Sequence, residues 1–293
     1  MSSFTRADMA PFHRQSPIFQ LLRGLSFAVI ALVLLSAVQT RAADRDKVAA
    51  FLQVTGFDVA IDSIALSAGS APLMLGLEED AFGLEWKLLA EKVFDIELMQ
   101  ERATDILEAT LSDEVLAHGA AFYASDLGQR LVEVENASHL ADDEEKAAEG
   151  ERLLEVGGEE AEERIALFKR MNHAIDPKDI GMQAVTEIQV RFILAATYAG
   201  VVELRTDEDG LRATLRENAE EFAEEREMNS LRNAAYTYQS FSLDELTAYT
   251  EALEDPMMMQ LYELMNAVHF EVMSNRFEAL AIAMGQIQPQ QEL

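Results

Sequence analysis

The chain has 293 residues, 49% hydrophobic and 26% charged, with 53 acidic against 23 basic side chains, no cysteine and a formal net charge of −30. The apolar share is enough for a folded core, while a charge of that sign repels nucleic-acid phosphates and anionic lipid headgroups, so binding to either by charge is disfavoured. Without cysteine there is no disulfide scaffold, thiol nucleophile, thiolate metal site or lipid-anchoring leader cysteine.

The first segment differs in kind from the rest. Arg6, Arg14 and Arg23 precede the uncharged run LSFAVIALVLLSAV (25–38), and QTRAAD follows. A basic start, an apolar centre and small residues at the end make a secretory leader. Residues 1–42 are expected to be a signal peptide with Thr40 and Ala42 at the −3 and −1 positions, cleaved near Ala42/Ala43. The apolar run is shorter than the ~20 residues of a membrane span, which favours cleavage over an uncleaved anchor. Because this segment carries four arginines and one aspartate, its removal leaves a still more acidic chain, suited to a bacterial periplasm.

Downstream, helical spacing dominates and strand alternation is nearly absent. Phe82, Trp86, Leu89 and Val93, then Leu98, Arg102 and Ile106, follow a three-and-four rhythm, as do Ile165, Phe168 and Met171 and the stretch QVRFILAATYAGVVEL from Gln189. Gly56, Gly83, Gly157 and Gly210 mark breaks. Asp176-Pro177 and Asp255-Pro256 each read as an N-cap followed by a first-turn proline.

Two stretches repeat one pattern. LSDEVLAHGAAFYASDLGQRLVEVENASH begins at Leu111 and FSLDELTAYTEALEDPMMMQLYELMNAVH at Phe241. Laid over each other without a gap, they agree at Ser112/Ser242, Leu116/Leu246, Leu131/Leu261, Glu133/Glu263, Asn136/Asn266, Ala137/Ala267 and His139/His269. Each reads as helix, cap, helix. Ser112 and Ser242 cap the first helices, Ser242 with Glu245 as a capping box, and Ser125-Asp126 and Asp255-Pro256 start the second. A duplicated unit is expected, giving an all-α bundle of two diverged repeats: residues 43–157 as the first helical unit, 158–284 as the second, and 285–293 as a disordered tail. The acidic zone between the copies, from Asp142 to Glu163, keeps apolar anchors and reads as an exposed helix pair, with a hinge at Val156 and Gly157.

FYASDLGQR (122–130), preceded by Leu-Ser-Asp-Glu, resembles the bacterial family known as domain of unknown function 2059. The family often has proline where this chain has Asp126; the second copy regains Pro256 but lacks the aromatic pair and the glycine. The resemblance implies a secreted, helical, envelope-associated protein and brings no catalytic residues with it. On their own chemistry Phe122, Tyr123, Ser125 and Gly128 form a structural motif: two rings at a helix end, a cap, and a position without a side chain where a neighbour can approach. Ser242, Asp255 and Pro256 punctuate the second copy in the same way.

Signals for catalysis are weak. There is no HExxH, Glu-x-x-His or GxSxG. Glu114 with His118 and Glu135 with His139 stand one helical turn apart, the spacing of ordinary surface pairs. In RTDEDGLRATLR the first and twelfth positions of a calcium loop would be Arg205 and Arg216, so the stretch is an acidic helix start and not a cation site. Met265, His269 and Met273 form one helical stripe of Cu(I)-type ligands, but methionine at such spacing is ordinary core. The expectation is therefore that His139 and His269 sit in separate environments, that no metal is bound and that no cofactor is required. The chain reads as a non-enzymatic periplasmic protein associating with an envelope partner. The alternative is a carrier of an apolar molecule between the two units, lined by Met257, Met259, Phe192 and Tyr198.

Overall fold

The computed structural model describes residues 44–78 and 82–286, so the leader at 1–42 and the last residues, 287–293, lie outside it. Among the described residues the regular structure is helical and no strand is present. Helix α1 (Arg45–Thr55) turns at Gly56 into α2 (Phe57–Ser63); a 3-10 segment (Ile64–Ser70) and a short α3 (Ala71–Met74) follow. Next come α4 (Gly83–Val93), α5 (Ile96–Thr110), α6 (Asp113–Tyr123), α7 (Asp126–Leu140), α8 (Asp143–Leu154) and α9 (Glu159–Ile175). The chain ends with α10 (Ile180–Tyr198), α11 (Glu208–Glu221), α12 (Ala223–Thr237), α13 (Leu243–Leu253) and α14 (Pro256–Met284).

The punctuation follows from side-chain chemistry. Ser112 accepts from the Val115 N–H, Ser125 from Gly128, Ser242 from Glu245, and Asp255 from Met257 and Met258. Each satisfies amides that a helix start leaves without a partner. At Ser242 the capping box is complete, with the Glu245 carboxylate accepting from the Ser242 N–H at 2.8 Å. Asp207 caps α11, as expected of an acidic helix start.

Asp176 and Pro177 behave differently from the expectation. Asp176 closes α9, Pro177 stands in the turn, and α10 begins only at Ile180. Asp179 adopts a left-handed conformation (φ 51°), while the Asp176 carboxylate reaches past the turn to accept from Ile180 and Gly181 N–H at 2.8 Å. The carboxylate caps α10 from outside, which the dipeptide pattern does not reveal. A second correction concerns α5. Its buried face is Met99, Ala103, Thr104 and Leu107, one residue away from Leu98, Arg102 and Ile106. Leu98 is half exposed and Arg102 pairs with Glu271 at 2.5 Å; the aliphatic stem of an arginine mimics an apolar position in the rhythm.

Helix α14 runs 29 residues and is the axis of the molecule. It buries Met258, Leu261, Met265, Val268, Val272, Phe277, Leu280 and Met284 and is flanked by α10, α6, α4, α5, α2 and α9. A helix apolar on several faces needs this enclosure. Gly119 of α6 is where Leu261 enters: a Cβ there would lie 2.5 Å from the Leu261 Cδ2. Leu131 and Leu261 are both fully buried, as the alignment of the two copies expects.

Gly157 and Gly158, both at positive φ, form the α8–α9 turn at the expected hinge. A single cluster of buried apolar side chains nevertheless runs from Val48 to Met284 on both sides of that turn, so the two halves share a core. Helix α8 crosses α12 so closely that a Cβ on Gly150 would meet the Arg232 carbonyl oxygen at 2.2 Å. Gly285 and Gln286 form the C-terminal turn of α14, with the Gly285 N–H bonded to the Ala281 carbonyl, so the start assigned to the tail belongs to the helix end.

A candidate ligand cleft between the two copies

Helices α7 and α14 both line a cleft of about 480 Å³, together with residues of α2, α9, α12 and α13. Its deep end is polar. The hydroxyls of Tyr238 and Tyr249 both donate to Glu135 Oε1, at 2.8 and 2.7 Å. The Tyr249 hydroxyl is also 3.3 Å from that of Tyr262 and 3.4 Å from that of Tyr123, and the Tyr123 and Tyr262 hydroxyls bond to each other. Phe122 stacks on Tyr249 at 5.9 Å, nearly parallel. The family-like motif therefore does more than pack: one of its rings supplies a hydroxyl to this network.

The network sets its own protonation. Burial, followed by charge on neighbouring groups including Glu135, pushes Tyr123, Tyr238 and Tyr249 well above the ordinary phenol range. Tyr262 is raised by the same causes. Burial also raises Glu135, while the hydrogen bonds from Tyr249 and Tyr238 oppose that shift. Four phenols around one carboxyl thus stay protonated, and two of them satisfy the one acceptor that would be costly to bury alone.

The rim and walls carry the residues that the two copies share. Asn136 and His139 of α7 and Asn266 and His269 of α14 all line this one cleft. Each asparagine secures a wall. Asn136 lies against the left-handed turn at Gly56, where a Cβ would come within 2.5 Å of its Oδ1, and Asn266 donates to the Ile175 carbonyl at the end of α9 at 2.9 Å. The histidines have no comparable task. Burial and then the neighbouring His139 lower His269 to about 4; loss of water around the ring, and then Lys146, lowers His139. Both imidazoles are therefore neutral bases at neutral pH.

This overturns the expectation that the two histidines sit in unrelated environments. The stripe is only partly assembled: Met265 lines the cleft with His269, whereas Met273 packs on the core away from it. Among the described residues no three His, Asp or Glu side chains stand close enough to hold a metal ion together. The apolar wall is Phe57, Ala60, Ile61, Met171, Ile175, Leu253 and Phe270. None of Met257, Met259, Phe192 and Tyr198, expected to line such a gap, does so; Phe192 is buried against Phe277 and Tyr198 is 89% exposed. Tyrosines from α6, α13, α14 and the end of α12 meet only in three dimensions, and each alone reads as helix packing.

The other sequence candidates have structural work. His118 Nε2 lies 3.2 Å from Asp255 Oδ1, tying α6 to the cap of α14 and not to Glu114. Gly128 gives the close approach expected of it, since a Cβ there would be 2.3 Å from the Phe122 carbonyl oxygen.

Residues 97–155 match the model of a family described as an uncharacterized protein conserved in bacteria (DUF2059). That span covers most of α5 through α8, including FYASDLGQR and the α7 wall of the cleft, and ends before the second copy. No curated protein and no solved structure matches the chain.

Proposed function

We propose that the chain is a ligand-binding protein of the bacterial envelope that holds a small amphipathic molecule in the cleft between α7 and α14. One observation carries this reading: a cleft of about 480 Å³, within the size range of small-molecule sites, that combines an apolar wall with a few oriented polar groups. No lysine or arginine lines it, so the site lacks the fixed cation expected for an anionic ligand. The hydroxyl and carboxyl groups at its deep end are engaged with one another; this favours retention of a ligand over its conversion. The basic, apolar and small-residue pattern of residues 1–42 supports export and a periplasmic location, and the matched family is one conserved in bacteria. Among the described residues no single helix is long and apolar enough to cross a membrane.

The test is native mass spectrometry of the exported chain, followed by extraction and identification of whatever co-purifies. Asn233 is exposed at the rim, so Asn233→Trp should obstruct the opening without disturbing the core. A small-molecule adduct on the wild type that this variant lacks, at equal helicity, is the expected result. Equal adducts on both proteins, or none on either, would remove the reading.

Association with a second envelope protein is the other reading. Leu66, Leu73 and Leu88 are 64%, 52% and 69% exposed, and the 3-10 segment that carries Leu66 touches both α3 and α4. Three exposed leucines on adjoining elements favour a contact surface. Retention of a specific partner by the wild type but not by a Leu66→Ser, Leu88→Ser variant would support it.

A further inference from the structure

We propose that His139, His269 and Met265 form a Cu(I) site at the rim of the cleft, a property that goes beyond small-molecule retention and does not depend on it. The first support is placement. The sequences NASH (136–139) and NAVH (266–269) occupy equivalent positions in the two copies, and both bring their asparagine and histidine to one cavity. The asparagines are accounted for by the walls they secure. The histidines have no structural task of that kind, yet they are the pair of ionisable residues that occupies equivalent positions and faces the same space. One histidine comes from each copy, and both line the same cleft with Met265.

The second support is donor chemistry. Each imidazole offers a ring nitrogen as a donor. Met265, one helical turn before His269 and on the same face, is buried and lines the same cleft, adding a thioether. Two imidazoles and one thioether, with no third histidine or carboxylate in reach among the described residues, suit a soft, low-coordinate monovalent ion. Zn²⁺ in protein sites takes three or four protein ligands, and Ca²⁺ and Mg²⁺ take several oxygens. The hydroxyls that could compete are committed elsewhere, at Glu135. Binding involves no electron transfer and no proton release: the ion arrives and leaves as Cu(I).

The full chain, reduced and under argon, is titrated against Cu(I) held by a chromogenic chelator. We expect one equivalent to be withdrawn. His139→Ala and His269→Ala should each weaken the site by about tenfold or more, Met265→Leu should weaken it less, and Met273→Leu, which alters a core-packed thioether outside the cleft, should leave it unchanged. In nuclear magnetic resonance spectra the imidazole signals of both histidines should shift together on addition of Ag(I). His139 lies at the exposed rim, so its variant will fold even if the His269 variant does not, and it carries the test alone in that case. Failure of the wild type to draw Cu(I) from the chelator overturns the proposal, as does equal withdrawal by the His139→Ala variant. Because the probe is the metal alone, neither result bears on whether the cleft also holds a small molecule.

Discussion

Replacing Gly128 by alanine adds one methyl group at the corner between α6 and α7. The new Cβ would lie 2.3 Å from the Phe122 carbonyl oxygen, 2.6 Å from the Tyr123 Cα and 2.9 Å from the Tyr123 carbonyl carbon. All three are backbone atoms, so no rotamer change relieves the contact. To restore an ordinary carbon–oxygen separation the two helices must part by about 1 Å. That shift acts on Tyr123, which is buried and hydrogen-bonded, and on the Ser125 cap, whose hydroxyl accepts from the Gly128 N–H at 3.1 Å. Overpacking of this kind costs about 1–3 kcal/mol, and weakening the cap adds about 0.5–2 kcal/mol. Alanine recovers at most about 1 kcal/mol of helix propensity. The net expectation is a loss of about 2 kcal/mol, which for a chain of this size is a fall in melting temperature of roughly 4–8 °C. Gly69→Ala is the matched control, since nothing lies within 4 Å of its Cβ position and its φ is not left-handed; it should be neutral or slightly stabilising. Thermal unfolding followed by far-ultraviolet circular dichroism reads both. A Gly128→Ala protein that melts with the Gly69→Ala protein would refute the argument that backbone contact, and not propensity, selects glycine at this corner.

Leu131→Ala and Leu261→Ala remove fully buried side chains and should each cost about 2–5 kcal/mol in chemical denaturation, against less than about 0.5 kcal/mol for the exposed control Glu145→Ala; tolerance at either leucine would show that the two copies are not equivalent there. His269 titrates at about 4 in the folded chain and near about 6.5 when unfolded. Between those values the unfolded chain binds the extra proton, so stability is complete above the upper value, declines as pH falls toward the lower, and stops declining below it. His139 is lowered as well and adds to the slope with the same sign. His269→Gln should flatten the dependence between about pH 6.5 and 4, and denaturation midpoints that run parallel for variant and wild type over that window would count against burial of the neutral ring.

Local signals in the chain report what local physics decides. Ser112, Ser125, Ser242 and Asp255 are legible as caps because the orphan amides of a helix start are satisfied within three residues of the capping side chain. The buried pair Leu131 and Leu261 is legible because the two copies share one rhythm. Legibility fails where a group acts from outside its own element. Asp176 caps a helix that begins four residues later, across Pro177, so the dipeptide resembles a start it does not make. Arg102 keeps the apolar period with its stem while its guanidinium reaches Glu271, and the period cannot separate those two parts of one side chain.

The cleft illustrates a further limit. The tyrosines of the hydroxyl network at its deep end come from four elements, and Tyr123 and Tyr262 are bonded across 139 positions of sequence; no spacing rule joins them. The shared histidines were visible as a pair, but a repeat fixes only what is equivalent, not whether equivalent faces point toward each other or apart. Packing decides that. Leu261 enters the space left by Gly119, seating α14 against α6, and α7 follows α6 through the tight corner at Gly128. The geometry of that corner sets α7 so that Glu135, Asn136 and His139 line the cleft, with His139 at its exposed rim. A glycine and a leucine with no chemistry of their own thereby determine that two histidines line one space, which is why the residues that build the site and the residues that bear its chemistry are different sets.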